Sequence, residues 1–243
     1  MVSIVVPTYN SEKCLAGFFD EVHELFSKEG IAHEFIFVDD CSNDSSWQII
    51  TALHTAQPGT VKGIHLLSNS GQHMALYQGF IHATGEVVLT SDVDLHIPKQ
   101  KLVELYRQLT VSNTDFTYLS YSRHYPNFAL NIMSNAFNML YHAILSVSDY
   151  GSNYRAMKKG VFNRIVEYEF DYGFIDTFLF LNAQGLAVSS SYLPGPFKNS
   201  GYTYNKKIRQ AVWVLYMALI RKFRGFKLIN PNNSPSLVAA QLL

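Results

Sequence analysis

Cysteine is scarce in this chain: Cys14 and Cys41 are the only two among 243 residues. That is too few for a disulfide framework, and a reduced, cytoplasmic setting is the expectation. Acidic residues are missing from the end of the chain. All nineteen lie at or before Asp176, whereas eight basic residues follow it, from Lys198 to Lys227, beneath a formal net charge of zero. An all-basic tail on a more acidic body points to an anionic partner, either a phosphate or a membrane surface; a merely solvated tail is the alternative. Glycine-rich phosphate loops are missing too. Neither G-x-G-x-x-G nor G-x-x-x-x-G-K-[ST] occurs, which disfavours a dinucleotide enzyme or a P-loop NTPase. There is no H-E-x-x-H, the nine histidines show no metal-ligand spacing, and the serines lack a G-x-S-x-G setting, so zinc chemistry and nucleophilic serine are not expected. Met1 to Tyr9 lack the basic start and apolar length of a signal peptide, and secretion is not expected.

What is present is an apolar, aromatic-rich chain, 48% hydrophobic with seventeen Phe and fifteen Tyr, long enough for one sizeable domain. Four apolar runs read as buried strands: Val2 to Val6, halted by Pro7; Phe35 to Val38; Val61 to Leu67; and Glu86 to Ser91. Between them lie helical patterns: Ser11 to Phe26, with Ser11 as a plausible N-cap, a second beginning near the cap candidate Asp44 and running to about His54, and Gln72 to Ala83. Such alternation with short connections predicts a parallel sheet covered by helices, a Rossmann-like layer. Ligands of such sheets sit beyond the carboxyl ends of the strands. Polar residues fall there four times: Thr8 to Asn10, Asp39 and Asp40, Asn69 to Gln72, and Asp92 with Asp94.

The second half is less regular. Asn127 to Leu145 and Asp176 to Ala183 read as helices, Asp149 to Ser152 as a polar loop, and Tyr192 to Tyr204 as a mobile loop. Ala211 to Ile220 is about half the ~20 apolar residues needed to span a bilayer. With basic clusters on both sides it fits a helix lying in the membrane interface, and equally a helix buried in the core. Pro231 to Leu243 carry few signals and read as disordered.

Asp92-Val93-Asp94 puts two carboxylates at a strand end, where both can reach one hard cation bridging a sugar diphosphate. Asp39 and Asp40 end another strand. One is expected to bind ligand, through a base N–H or ribose hydroxyl, and the other to be structural, for instance as a cap for the helix near Asp44. Gln72 and His73 are ligand contacts or simply helix-start residues.

These blocks resemble glycosyltransferase family 2. The resemblance is carried by Val5-Val6-Pro7-Thr8-Tyr9-Asn10, by Val38-Asp39-Asp40-Cys41-Ser42-Asn43-Asp44, and by Ser91-Asp92-Val93-Asp94-Leu95-His96-Ile97-Pro98. Between them, Asn69-Ser70-Gly71-Gln72-His73 with Gly79 and Ala83 to Glu86 fit in order. The match is closer still to the polyprenyl-phosphate glycosyltransferases, through Asp149-Tyr150-Gly151, Arg155 and Lys198 to Thr203. The resemblance implies an α/β GT-A fold, taken over residues 1–205, and the basic, apolar pattern beyond it is taken as an amphipathic helical extension and tail over 206–243. It implies a nucleotide-diphosphate sugar as donor, Mg2+ or Mn2+ as cofactor, and a single inverting displacement. Pro7, Tyr9, Asp39 or Asp40, and Gln72 would meet the donor; Asp92 the ribose and diphosphate side; Asp92 and Asp94 the metal; Arg155 and Lys198 the diphosphate or an acceptor phosphate. Cys41 stands where the family usually has Gly, Lys198 replaces Arg, Tyr204 replaces Lys, and there is no counterpart of the two transmembrane helices that often follow the domain.

Asp176, just before an apolar helix, matches the place of a general base in members that glycosylate hydroxyls, and otherwise reads as a helix cap. It tilts the expectation toward a hydroxyl of a glycan or lipid-linked acceptor, with polyprenyl phosphate as the alternative. The enzyme is expected at the inner membrane face, peripherally held on anionic lipid through residues 206–227, with no nucleic-acid partner. A non-catalytic nucleotide-sugar-binding scaffold is the reading from another class. A nucleotidyltransferase is disfavoured, because Ser3 to Lys13 offers no Gly- and Arg/Lys-rich triphosphate loop.

Overall fold

The computed structural model describes residues 1–112, 114–121, 153–166, 187–193 and 240–243, with Ile132 and Met139 as isolated positions. Eight strands form one mixed sheet, in the order β7-β5-β6-β4-β1-β2-β3-β8. Its centre is parallel: β1 (Val2–Thr8), β2 (His33–Asp39), β3 (Val61–Leu66) and β4 (Val87–Thr90). Helices α1 (Leu15–Lys28), α2 (Ser46–Ala56) and α3 (Gln72–His82) make the crossovers, as the alternation of periods predicts.

The two faces of β2 explain its continuous apolar run. Phe35 and Phe37 meet Phe18 and Phe19 of α1, while Val38 lies on the opposite face under α3. The apolar stripe Leu15, Phe18, Phe19, Val22 and Phe26 is fully inside, each side chain contributing about 1.5–3 kcal/mol. On the other face α3 sits so close that a Cβ on Gly79 would come 2.2 Å from Val5 Cγ1. Only glycine permits that approach.

Several expectations shift in detail. β1 runs through Pro7 to Thr8, because β4 pairs only as far as Val5, so Pro7 faces β2 alone and its missing N–H leaves no ladder broken on the β4 side. Ser11 does not cap α1 with its side chain; its Oγ donates to Tyr9 O, and its carbonyl accepts from Cys14 and Leu15 N–H. α4 (Gln100–Val111), β5 (Phe116–Tyr121), β6 (Arg155–Lys158) and α5 (Lys159–Val166) were not anticipated. β6 inserts antiparallel between β4 and β5. β7 (Val188–Leu193) extends to residues expected in a loop, and β8 (Ala240–Leu242), expected to be disordered, pairs antiparallel with β3. The expected helices at 127–145, 176–183 and 211–220 lie outside the described residues. No helix among the described residues is long and apolar enough to cross a membrane.

Candidate active site

The carboxyl ends of β1 to β4 open on one crevice, and four loops border it. The first two are laced together. Asn10 N–H donates to Ser42 Oγ at 2.9 Å and Asn43 N–H returns a bond to Asn10 Oδ1 at 2.9 Å. Ser11 N–H donates to Ser46 Oγ at 2.8 Å, Glu12 N–H to Asp44 Oδ2 at 3.1 Å, and Ser45 N–H to Glu12 Oε2 at 3.1 Å. Asp44 also accepts from Ser46 N–H at 3.0 Å, so it, and neither Asp39 nor Asp40, satisfies the start of α2. Tyr9, 47% exposed, stands at the rim of this pair of loops, after the partly buried Pro7.

Asp39 and Asp40 end the same strand but face different neighbours. Asp39 is 0% exposed; its Oδ2 accepts from His65 Nδ1 at 2.7 Å and Ser42 N–H at 3.2 Å, and its Oδ1 from Ser42 Oγ–H. Asp40, 4% exposed, accepts from the backbone N–H groups of Ser70 at 2.7 Å and Gly71 at 2.8 Å. That fixes the loop leading into α3, whose turn is made by Gly71 at φ +86°. Both carboxylates are therefore committed to protein groups.

At the β4 end the arrangement is different. Asp92 is held by the Asn153 side-chain amide, 3.0 Å from Oδ1 and 2.9 Å from Oδ2, and by Gln72 Nε2 at 3.1 Å. Asp94 is exposed, and its Oδ2 lies 2.7 Å from His96 Nε2. Residues 153–155 lock the loop from behind. Thr90 Oγ1 donates to Asn153 O at 2.6 Å, and His96 N–H donates to Tyr154 Oη at 3.1 Å. Arg155, buried, is register partner of Thr90 across the β4–β6 ladder. Burial pushes the Asp92 carboxyl above the usual carboxylate range, opposed by the Asn153 bonds and reinforced by the Asp94 charge, with His96 and Arg155 pulling it back. Desolvation by the surrounding protein, then the Arg155 charge, holds the His73 imidazole below its ordinary range.

The structure thus brings Gln72, His73, Asp92, Asp94 and Arg155 together at one pole, with Tyr9, Asp39 and Asp40 along the rest of the crevice. Asp176 and Lys198 lie outside the described residues. Asn153, Tyr154, His65 and His96 escaped the sequence reading. For His96 the signal was available, since acidic or imidazole groups alternate at 92, 94 and 96.

A divalent cation suits this pole on its own chemistry. The Asp94 charge adds to the cost of ionising Asp92, and a hard cation would offset that cost. Asp92 and Asp94 would be the oxygen donors to such a cation, with the His96 imidazole beside Asp94. Among the described residues no three acidic, histidine or cysteine side chains converge at metal-ligand spacing.

Comparisons with known proteins agree with this architecture. Residues 3–166 match the family model described as Glycosyl transferase family 2. The undecaprenyl-phosphate 4-deoxy-4-formamido-L-arabinose transferase of Shewanella sediminis is 33% identical over 172 residues, 68% of this chain and 50% of that protein. Its counterpart in Pectobacterium atrosepticum is 30% identical over 162 residues, 66% of this chain and 49% of that protein. The aligned part thus spans about half the length of these curated relatives. Among solved structures, mannosyl-3-phosphoglycerate synthase from Rubrobacter xylanophilus superposes with a TM-score of 0.69 at 18% identity, over 92% of this chain and 74% of that one. A mannosyltransferase from Pyrobaculum calidifontis, solved with GDP-Man and Mn2+, gives 0.68 at 18% identity over 97% of this chain and 67% of that one. The sheet order, the acidic pole at the end of β4 and the family match lead to one statement: this chain belongs to glycosyltransferase family 2.

Proposed function

We propose that this protein transfers a sugar from a nucleotide-diphosphate sugar to a lipid-linked acceptor at a membrane surface. The observation that carries the reading is the pole formed by Asp92 and Asp94 with Arg155 behind them, at the strand ends of a parallel sheet. The donor's diphosphate would lie there and its nucleoside along the β1–β3 ends, past Tyr9. Asp92 and Asp94 would hold Mg2+ or Mn2+, which supplies positive charge where the departing diphosphate becomes more negative. Asn153 and Gln72 orient Asp92 through its own oxygens, so the carboxylate spends no freedom on ligand binding.

For the acceptor, the names of the relatives favour polyprenyl phosphate, which is already ionised and needs no base. Asp176 is what favours a sugar hydroxyl instead, because a hydroxyl must lose its proton as the bond forms. The basic segment 206–227 would hold the protein on anionic lipid at the inner membrane face.

The test is turnover. With Mn2+, undecaprenyl phosphate in detergent and a panel of UDP-, GDP- and dTDP-sugars, one donor should yield nucleoside diphosphate together with an acid-labile, organic-extractable sugar. An acid-stable glycolipid formed only with a hydroxyl acceptor, and lost in Asp176→Asn, would move the assignment to the second reading. Tight nucleotide-sugar binding with no transfer to any acceptor would mark a binding scaffold.

A further inference from the structure

We infer that Tyr154 is a positioning residue of the donor site: its hydroxyl pins the backbone at His96 and so sets Asp94 at the reach from Asp92 that one cation needs. The inference rests on the donor reading above and deepens it by naming what places the second carboxylate.

The two carboxylates are held in different ways. Asp92 is fixed through its own oxygens, by Asn153 and Gln72. Asp94 is exposed, and so is His96, the imidazole beside it. A pairing of two exposed side chains holds little, because solvent screens it. The position of Asp94 therefore follows from the course of the backbone between Ser91 and Pro98. That stretch lies beyond the end of β4 and belongs to no strand. Val93 and Ile97 are buried there, while Asp94 and His96 are exposed. Among the described residues, His96 is the one position from Asp92 to Ile97 whose backbone N–H makes a hydrogen bond. The acceptor is Tyr154 Oη, at 3.1 Å.

Tyr154 is itself well anchored. Its carbonyl accepts from Leu119 N–H of β5 at 3.0 Å, and the preceding carbonyl, Asn153 O, accepts from Thr90 Oγ1 of β4 at 2.6 Å. The residue is 2% exposed and belongs to the same buried core cluster as Val93, Ile97 and Leu102. One side chain thus does two things. Its ring shares the core with the loop's apolar side chains, and its hydroxyl fixes the backbone two residues after Asp94. A carboxylate already in place when the cation arrives surrenders less freedom on binding. Phenylalanine at this position would keep the packing and lose the pin.

The experiment measures the Mn2+ concentration that gives half-maximal binding of UDP or GDP, whichever the wild type takes, together with melting in the absence of ligand. Tyr154→Phe should raise that concentration roughly fivefold, the worth of one ordinary hydrogen bond, and should still melt cooperatively. Glu34→Gln is the control for a merely structural loss. It weakens the bonds from Ser3 and Thr84 at the opposite end of the sheet, so it should melt lower with the Mn2+ midpoint unchanged. In a His96→Ala background, which keeps the backbone N–H, Tyr154→Phe should cost the same factor, because the pin acts through the backbone. An unchanged or lower midpoint in Tyr154→Phe, or an equal rise in Glu34→Gln, would overturn the inference while leaving the donor site standing. So would loss of the Tyr154→Phe effect in the His96→Ala background. Failure of both nucleotides to bind the wild type with Mn2+ would overturn the donor reading itself.

Discussion

Replacing Asp40 separates an anchor from a ligand contact. Its two oxygens accept from Ser70 and Gly71 N–H at 2.7 and 2.8 Å, and only 4% of the residue is exposed. Hydrogen bonds to a charged group are worth about 1.5–3 kcal/mol each in net terms. Ser70 is exposed and Gly71 half-buried, so water recovers part of the loss once the carboxylate is gone. Asp40→Ala should therefore cost about 2–4 kcal/mol, and Asp40→Asn, which keeps one acceptor, about 1–2 kcal/mol. At this chain length that lowers the melting temperature by several degrees, and urea unfolding at pH 7 would measure the loss directly. Nucleotide affinity should fall only as far as the 68–71 loop loses its position. If Asp40→Ala instead melted like the wild type and abolished nucleotide binding, Asp40 would be a ligand contact, and the anchoring argument would be wrong.

Three further predictions rest on other parts of the fold. Asn153→Ala removes both amide bonds to Asp92 and should cost about 2 kcal/mol together with a severalfold loss of nucleotide affinity, whereas Asn153→Asp should gain more thermal stability from added Mn2+ than the wild type does. Glu34 is buried at the opposite end of the sheet, where burial alone would raise its pKa, but bonds from Lys62, Ser3 and Thr84 outweigh this and hold it below the ordinary range. Its stabilisation is thus complete above about pH 4.5 and is lost as pH falls through the lower folded value, so the wild type's advantage over Glu34→Gln in urea unfolding should be full at pH 7 and shrink below about pH 4. Cys41 sits at φ +60°, a left-handed conformation costing a side-chain-bearing residue about 1–2 kcal/mol, so Cys41→Gly should be neutral to about 1 kcal/mol stabilising after the entropy that glycine loses on folding. A clear destabilisation in chemical denaturation would refute that.

The first ninety residues were legible because β1, β2 and β4 are buried on both faces and read as largely apolar runs, and each of the four strands ends in polar residues that the sheet must place together. The second half gave no such signal. β6 is four residues, Arg155–Lys158, two of them cationic, and it becomes a strand only because β4 and β5 flank it. Within the site, the sequence disclosed which carboxylates stand at strand ends but not what they hold. His65 is 26 residues from Asp39, Ser70 is 30 from Asp40, and Asn153 is 61 from Asp92. Those pairings depend on sheet register and loop closure, which no local spacing records. The same limit let Ser11 pass as a cap for α1, whereas the place of Asp44 just before α2 sufficed to name it as a cap candidate, and it does accept from Ser46 N–H.

The central claim is a metal-dependent donor site at Asp92 and Asp94, and it is tested most directly by nucleotide binding. Calorimetric titration of UDP and GDP into the protein, with Mn2+ and with EDTA, should give binding to one nucleotide that depends on the metal. In Asp94→Ala the metal dependence should vanish while the melting temperature in the absence of ligand stays near that of the wild type, because Asp94 is exposed and its ion-pair partner among the described residues, His96, is exposed as well. Binding that is equally tight with EDTA, or unchanged in Asp94→Ala, would contradict the account.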